Sequence, residues 1–395
     1  MRLRWSEEEL AIRNAFQGAG HQIRERASDF RKQGDLDRTM WTKVADAGLF
    51  GLPVDPAHGG SGKGWWSFAA ALEGLSSTAG DLGFLLSVIA HMGAVRILCE
   101  EGTEDQKRRY LPPLVSGSVA ATATTERSGG SDVARIRAAA AETSGKLFLT
   151  GEKKHITNAP VADVFIILGR IPHLGEKRDI TLFLLDRDAA GLSTSTPEDT
   201  LGNASSPTGD IILKEVAITQ ASILGRPGEG LASLYRMLTL DRLLYALVAA
   251  GYLEPIIQAS MRHACSRTSF GKPLSEHQYV QDKIVLMKVA MEQSRFLAYA
   301  ALDRMLAGDT DMLSMGSIAK LVGTEQLWTA AADFLHLQGH QGYMTGAATE
   351  ILSDAAAVRI AGGTSEMQKI NIFNQLKRQI DDLAVSGLGQ MEAAQ

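Results

Sequence analysis

The sequence predicts an α+β protein of several domains: an N-terminal helical domain, a middle antiparallel β domain and a C-terminal helical domain resembling a four-helix bundle. Three observations support this prediction. The chain has 395 residues, enough for two or three domains. Helix-length apolar patterns occupy both ends of the chain, and short β-prone segments separated by Gly, Pro, Asn and Asp occupy its middle. We place the domains at residues 1–117, 118–222 and 223–395.

Helix-start signals support the first domain. Ser6 and Glu9 have the spacing of a capping box, in which the two side chains accept hydrogen bonds from amides left free at a helix start. Thr103 is a second N-cap candidate, because Glu104 and Asp105 follow it in the first turn. We therefore expect helices to begin close to both positions.

The other two domains are predicted from their apolar segments. Strands are expected at residues 119–125, 147–150, 164–168, 180–186 and 211–218. No helix-length segment joins these strands, which favours antiparallel pairing. Long helices are expected at residues 231–257, 278–306 and 312–336, followed by a shorter pair.

Composition excludes several classes of protein. Forty basic and forty-five acidic residues give a net charge of -5 without a long run of one sign, so a nucleic-acid partner is not expected. Cys99 and Cys265 are the two cysteines and form no CxxC motif, which argues against a disulfide scaffold. Arg236, Asp241 and Arg242 interrupt the most apolar helical segment and argue against a membrane span. The N-terminus also lacks a signal-peptide pattern. We expect a cytoplasmic protein without a membrane partner.

Three short motifs do not complete a known site. The glycine-rich segment 59–64 lacks the first glycine of a phosphate loop and the hydroxyl residue after Lys63. The segment 225–230 contains Pro227, which obstructs a dinucleotide fingerprint. His336 and His340 are four residues apart, but Gly339 interrupts the helix that a zinc site would need. We predict no metal site.

Five segments carry a specific resemblance. In chain order they are GTEDQK with YLP at 102–112, TERSGGSDV at 125–133, KHITNA at 154–159, RTSFGKPL at 267–274 followed by His277 and Gln278, and QGHQGY at 338–343 followed by Asp354 and GGTSE at 362–366. Together they resemble the acyl-CoA dehydrogenase family of flavoenzymes over nearly the whole chain. The resemblance implies non-covalent FAD and a homo-oligomer, either a dimer or a tetramer.

The resemblance also implies the cofactor contacts. Thr125 is expected to bond the pyrimidine side of the flavin, and Thr157 to donate toward flavin N5. Ser131 is expected near the pyrophosphate and the thioester tail. The further expected contacts are His155, in place of an aromatic residue that lies against the flavin; Arg267, Phe270 and Gln278, which reach the FAD of a neighbouring subunit; and Thr364 and Glu366 at the nucleotide part. Outside the resemblance, ordinary strand and turn usage also explains the threonines and Ser131.

The implied reaction is α,β-dehydrogenation of an acyl thioester, in which a base removes the α-proton and Cβ passes hydride to flavin N5. The thioester carbonyl must be polarised by donors, one of which is expected to be the backbone N–H of Gly362 beside Gly363. Most members of the family carry the catalytic glutamate where this chain has Gly362. A minority carry it on a long helix, one residue before an arginine. Here that pair is Asp241 and Arg242, so we expect Asp241 to be the base and Arg242 its structural or substrate-binding neighbour.

Several features of the substrate stay open at this point. Small Ala361 and Gly362 predict room for a bulky or branched acyl group. His91 is a candidate contact for a polar substrate, with helix packing as the alternative. The carrier is CoA or an acyl carrier protein, because both present the same pantetheine arm. The electron acceptor is an electron-transfer flavoprotein or O2. A flavin-dependent monooxygenase of the N-oxidising type is the alternative function, because the usual glutamate is missing.

Overall fold

The computed structural model describes residues 2, 4–172 and 179–385, and the N-terminal part of this range is helical. Its helices are α1 (Glu7–Gln33), α2 (Arg38–Asp46), α3 (Gly64–Ala79), α4 (Leu82–Glu101) and α5 (Glu104–Val115). The predicted capping box at Ser6 and the predicted N-cap at Thr103 are both present, and Thr103 forms a capping box with Gln106 as well. Ser6 Oγ accepts from the backbone N–H of Glu9, and Thr103 Oγ1 accepts from that of Gln106. These bonds satisfy donors that a helix start leaves free, which explains why α1 and α5 begin where they do.

An eight-stranded sheet follows the N-terminal helices. Its strands are β1 (Ala120–Ala123), β2 (Ala139–Thr143), β3 (Lys146–Thr157), β4 (Val164–Arg170), β5 (Ile180–Asp186), β6 (Leu192–Thr194), β7 (Thr208–Ile218) and β8 (Ile223–Leu224). Their order is β6-β7-β3-β2-β4-β5-β8, with β1 paired to β4. Most pairs are antiparallel, as predicted, but β1 and β2 each pair with β4 in parallel. The β2–β3 hairpin separates β1 from β4 and supplies the long connection that a parallel pair needs.

The C-terminal part is a helical bundle. It contains α6 (Gly230–Ser266), α7 (Gln278–Ala307), α8 (Met312–Leu337), α9 (His340–Tyr343), α10 (Ala347–Val358) and α11 (Ser365–Val385), with the hairpin of β9 (Thr268–Ser269) and β10 (Lys272–Pro273) between α6 and α7. Helices α6, α7 and α8 pack on one another, and α11 packs on α8. Helix α3 crosses α6 closely: a Cβ on Gly251 would lie 1.8 Å from Ser76 Oγ. The N-terminal helices and the bundle therefore share one core.

Two helices are long and apolar enough to cross a membrane by length and hydropathy. They are α4 and α6, and 89% and 72% of their most apolar windows are buried inside the fold. Such burial is what the central helices of a packed core have, because their apolar side chains face protein on most sides. Helix α6 also has charged side chains at the place where it borders the cleft described next.

Candidate functional site

A cleft of about 470 Å³ lies where the sheet meets the C-terminal bundle. One side is formed by the ends of β1 and β3 and by the loop after β1, the opposite side by α6, and the far end by the loop between α10 and α11. Nine of the predicted site residues line it: Thr125, Ser131, His155, Thr157, Asp241, Arg242, Gly362, Gly363 and Thr364. These residues are up to 239 positions apart in the chain, and only the packing of the sheet against α6 brings them together.

Helix α6 presents one face to the cleft. Leu234, Leu238, Asp241 and Tyr245 all line the cleft and follow one another at intervals of three or four residues. Residues at this spacing lie on the same side of an α-helix. Helical periodicity therefore places Asp241 and Tyr245 on the face of α6 that borders the cleft, together with the apolar Leu234 and Leu238.

The Asp241 carboxyl group is buried and lacks a direct partner. The residue is 8% exposed, and its Oδ1 atom has no hydrogen-bond partner within the described ranges. Burial raises the pKa of Asp241 to about 7, against the opposing effect of the nearby Arg96 and Arg242 cations. A carboxyl group with such a pKa can accept a proton near neutral pH, which is what a general base requires.

Gly93 on α4 makes room for this carboxyl group. A Cβ at position 93 would lie 2.6 Å from Asp241 Oδ1 and 3.2 Å from Oδ2. A glycine inside a helix costs about 1 kcal/mol relative to alanine, so its presence in the middle of α4 has a packing reason. Sequence reasoning missed Gly93, and its position in a long apolar helix was the signal that could have identified it.

Arg242 is a buried cation beside the same cleft. Its exposed fraction is 4%, its Nε atom has no partner in the part of the chain described, and its Nη1 atom lies 3.5 Å from Ser317 Oγ. Burial lowers the pKa of Arg242 from its ordinary value. The guanidinium therefore supplies positive potential near Asp241 and retains unused hydrogen-bonding capacity.

Side chains at Gly362 and Gly363 would be strained in the loop conformation of this structure. Both glycines have positive φ angles, +66° and +93°, which L side chains rarely adopt. A Cβ on Gly362 would also lie 2.6 Å from Cε2 of Tyr245. The Tyr245 ring therefore occupies part of the space beside Gly362, and the room expected there for a bulky acyl group stays a prediction.

The sheet side of the cleft offers hydroxyl groups. The side chains of Thr125 and Thr157 line the cleft and make no hydrogen bond with any residue that the structure describes. Beneath them, Lys153 is fully buried and forms an ion pair of 2.8 Å with Glu126. Glu126 also accepts from the backbone N–H groups of Arg137 and Ala138, at 2.6 and 3.0 Å. This buried network holds the loop after β1, and sequence reasoning missed it.

His155 lies at an irregular point of β3. Its φ angle is +56°, the register with β7 shifts between Lys153 and Ile156, and the side chain is 69% exposed at the edge of the cleft. Its Nδ1 atom lies 2.9 Å from Glu198 Oε1. His155, Glu198 and Asp210 lie close enough together to hold a metal ion, but Lys154 already contacts Asp210 at 2.7 Å. The Lys154 ammonium group therefore already bonds Asp210 Oδ2, one of the oxygens that a cation would need.

Five predicted site residues lie outside the cleft lining. His91 is fully buried, accepts a hydrogen bond of 3.2 Å from the backbone N–H of Ala120, and packs against Trp41 and Phe50. Burial lowers the pKa of His91 to about 3, so the ring is neutral. The expected substrate contact of His91 is corrected: its ring packs in the core. The other four, Arg267, Phe270, Gln278 and Glu366, are exposed on the surface of this chain.

The cleft fits a flavin by its donor set. The free hydroxyls of Thr125 and Thr157 lie on one side, and the backbone N–H groups of Gly362, Gly363 and Thr364 have no acceptor within residues 2, 4–172 and 179–385. A flavin requires donors near N5 and at its pyrimidine edge, and small residues where its phosphates approach backbone. Gly130 and Ser131 line the cleft at its mouth and meet that second requirement.

Comparison with known proteins agrees with this geometry. Models of the acyl-CoA dehydrogenase N-terminal, middle and C-terminal domains match residues 6–118, 121–216 and 228–377. An acyl-CoA dehydrogenase of Bacillus subtilis is 30% identical over 363 residues, covering 91% of this chain and 94% of that protein. The solved structure of the prolyl acyl carrier protein oxidase AnaB has a TM-score of 0.89 at 30% identity and covers 94% of this chain and all of AnaB.

A second solved structure contains the cofactor. The complex of PigA with FAD and proline has a TM-score of 0.90 at 27% identity, covering 95% of this chain and 99% of PigA. The cofactor predicted for this chain, FAD, is confirmed by these relationships. The predicted arrangement of a helical domain, a β domain and a helical domain is confirmed as well. The chain belongs to the acyl-CoA dehydrogenase family of FAD-dependent oxidoreductases.

Proposed function

We propose that this enzyme dehydrogenates an acyl thioester between its α and β carbons, with Asp241 as the base that removes the α-proton. One observation carries the assignment of the base. Asp241 is a buried carboxyl group with an unpartnered oxygen and a pKa raised to about 7, and it lines the cleft in which the donor groups converge. Gly362, which replaces the usual glutamate, cannot perform this task.

Removal of the α-proton needs help from the carbonyl end of the thioester. An α-proton beside an unassisted thioester is far too weak an acid for a carboxylate. The free N–H groups of the 362–364 loop are suited to bond the carbonyl oxygen where negative charge develops. Bound FAD supplies the acceptor for the hydride that leaves Cβ. Asp241 then holds the proton within a site that is largely closed to water.

The proposed cofactor contacts come from both sides of the cleft. Thr125 and Thr157 bond the flavin through their free hydroxyls, His155 lies at its edge, and Ser131 and Thr364 approach its phosphate and nucleotide parts. Arg267, Phe270, Gln278 and Glu366 are exposed on this chain, and we propose that the first three complete the FAD site of a neighbouring subunit, while Glu366 contacts the nucleotide part.

We further propose a homo-oligomer. Two helices carry exposed apolar side chains on the described surface: Val285, Leu286, Val289 and Phe296 on α7, and Ile370, Phe373, Leu376 and Ile380 on α11. Such side chains form a stable surface when a second subunit covers them. A dimer or tetramer would bury them together with the exposed hairpin that carries Phe270.

The substrate is proposed to be a short acyl group on CoA or on an acyl carrier protein. Tyr245 limits the space beside Gly362, which disfavours long or bulky chains. One structural neighbour is named a prolyl acyl carrier protein oxidase and one relative an acyl-CoA dehydrogenase, so both carriers are to be tested. An electron-transfer flavoprotein or O2 is the proposed electron acceptor. The monooxygenase is the alternative because the usual catalytic glutamate is missing. Asp241 provides a carboxyl group that can replace this base, so the monooxygenase alternative is not favoured.

The two free cysteines and the burial of α4 and α6 support the proposal of a cytoplasmic enzyme without a membrane partner. Cys99 is half-buried and Cys265 is exposed. An exposed thiol persists most readily in a reducing compartment.

Anaerobic mixing with a panel of acyl thioesters tests the proposed function. The wild-type enzyme is expected to bleach its flavin with at least one short acyl thioester, whereas Asp241→Asn stays yellow and unreduced. Asp188→Asn is the matched control, because Asp188 is exposed and is not among the residues that line the cleft. Normal bleaching by Asp241→Asn would remove Asp241 from the role of base. Absence of bleaching with every thioester, together with oxygen consumption and N-oxidation of an amine once an external reductant has reduced the flavin, would favour the monooxygenase.

A further inference from the structure

The side of the 362–364 loop that faces away from the cleft is held by a buried lysine. Lys320 on α8 is fully buried, and its Nζ atom donates to the carbonyl oxygens of Gly363 and, at 3.4 Å, of Arg359. Gln368 on α11 donates from Nε2 to the same Gly363 oxygen at 2.7 Å and to the Gly362 oxygen at 3.4 Å. Two side chains from two helices therefore bond the carbonyls of consecutive glycines.

No ion pair among the described residues explains why Lys320 is buried. No carboxylate of the described residues lies within salt-bridge distance of Lys320 Nζ. Burial and the nearby Arg242 cation lower the pKa of Lys320 to about 7, against the smaller opposing effect of Glu325 and Glu366. Burying an ammonium group without a carboxylate partner costs free energy. The hydrogen bonds from Nζ to the carbonyls of Gly363 and Arg359 help to offset this cost.

Because the peptide group is planar, these hydrogen bonds also determine the direction in which the N–H donors of the loop point. In a trans peptide the carbonyl and the following N–H point in opposite directions. Bonds that hold the Gly362 and Gly363 carbonyls on the Lys320 side therefore turn the N–H groups of Gly363 and Thr364 to the opposite side. Both residues line the cleft, and neither N–H has an acceptor in the part of the protein described here. Gly362 and Gly363 have no side chains, and the Thr364 hydroxyl accepts from the backbone N–H of Met367 at 3.3 Å. The orientation of the two glycine peptides therefore depends on the hydrogen bonds to their carbonyls.

Lys320 also supports the aromatic ring beside the loop. Its Nζ atom lies 5.6 Å from the centroid of the Tyr245 ring, within the range of a cation–π contact. An edge of the same ring lies where a side chain on Gly362 would be. One ammonium group thus contacts both the loop and the ring that limits the space beside it.

We propose that Lys320 is a positioning residue for thioester activation: from outside the cleft it orients the 362–364 loop so that the backbone N–H groups of Gly363 and Thr364 face the substrate carbonyl and, together with that of Gly362, polarise it. This inference rests on the proposed function, because it assigns the loop donors to a thioester carbonyl. Lys320 does not itself touch the substrate, and Gln368 has the same task from α11.

The test separates carbonyl polarisation from proton removal. A thioester with sulfur in place of Cβ can lose an α-proton but has no hydride to transfer. The infrared stretching frequency of its ¹³C-labelled carbonyl measures polarisation in the bound state, and exchange of its α-protons with D2O measures proton removal. Flavin reduction by an active thioester is recorded in parallel.

Lys320→Met is the informative variant, since it keeps an unbranched side chain only one atom shorter and removes the donor. We expect it to stay yellow, to lose most of the carbonyl frequency shift, and to reduce its flavin about 10–100-fold more slowly, with a smaller change in KM. Lys288→Met is the matched control: this lysine on α7 is 56% exposed and pairs with Glu292, and its variant should behave as wild type.

Two further variants cover the remaining outcomes. Asp241→Asn should lose α-proton exchange but retain the carbonyl shift, which distinguishes a failure of the proposed base from a failure of this inference. Gln368→Met should lose part of the shift, and it provides the test if Lys320→Met does not fold. An unchanged carbonyl frequency in folded Lys320→Met, or in Gln368→Met where the first variant is unstable, would overturn the proposal. Absence of any shift in the wild-type enzyme would overturn it as well.

Discussion

Replacement of Asp241 by asparagine should abolish turnover and at the same time stabilise the folded protein at high pH. The substitution keeps the size of the side chain and removes its charge. In the folded state burial raises the pKa of this carboxyl group from 3.8 to about 7. The folded protein therefore binds the proton more tightly than the unfolded chain does, and ionisation of Asp241 opposes folding.

The expected difference in unfolding free energy follows from the rise in the pKa of Asp241. At about 1.4 kcal/mol per pKa unit, a rise from 3.8 to about 7 corresponds to about 4 kcal/mol. The sign is that of a raised pKa: the stabilising effect of the proton is fully present below pH 3.8 and is lost as the pH rises through 7. Asp241→Asn never carries the charge, so it should exceed the wild type in unfolding free energy by about 4 kcal/mol at pH 8.5 and by about 2 kcal/mol at pH 5.5.

Urea denaturation at both pH values, with FAD held at one excess concentration, measures this difference. Anaerobic stopped-flow reduction measures the rate, which should fall by on the order of 10²–10⁴-fold in the variant. In the wild type the rate should rise with pH and reach a plateau above about pH 7, as Asp241 loses its proton. A difference in stability that does not change between pH 5.5 and pH 8.5 would contradict the description of a buried, unpaired carboxyl group.

Three other substitutions test the surroundings of the base. Gly93→Ala places a methyl group 2.6 Å from Asp241 Oδ1, so flavin reduction should slow about 10–100-fold with FAD retained; an unchanged rate would mean that the carboxyl group need not occupy this position. Tyr245→Ala opens the space beside Gly362, so activity should shift toward longer or branched thioesters in a chain-length series, and an unaltered preference would show that Tyr245 does not limit the substrate. Lys153→Met leaves Glu126 buried without its cation, so the unfolding free energy should fall by about 3 kcal/mol in urea titrations; a loss below 1 kcal/mol would mean that the backbone donors to Glu126 suffice.

Much of the fold could be predicted because its signals are local. The capping boxes at Ser6 and Thr103 depend on side chains within three residues of each other. The predicted strand at residues 180–186 coincides with β5, and the predicted helix at 312–336 nearly coincides with α8. The parallel pairing of β1 with β4 was missed, since strand direction depends on how a distant hairpin is placed and not on the residues of β1. The domain boundaries at 117 and 222 stay predictions.

The candidate site could also be predicted only in part from the sequence. The residue types of Thr125, Thr157 and Asp241 are visible in the sequence, and motif spacing placed them in one family site. The Tyr245 ring beside Gly362 and the missing side chain at Gly93 depend on contacts between elements more than a hundred residues apart. Histidine is a residue type that can contact a polar substrate, but His91 is buried in the apolar core between Trp41 and Phe50.

The sequence alone determined the order of helical and β domains and the family resemblance with its cofactor, because periodicity, caps and motifs depend on residues close together in the chain. It also supplied the proposal of Asp241 as the base. Tertiary structure decided which side of the Gly362–Gly363 loop offers donors, how much space remains for the acyl group, and why Asp241 holds its proton to about pH 7. Those properties arise from excluded water, close atomic contact and buried charge. Each requires segments distant in the chain to be packed together before it exists.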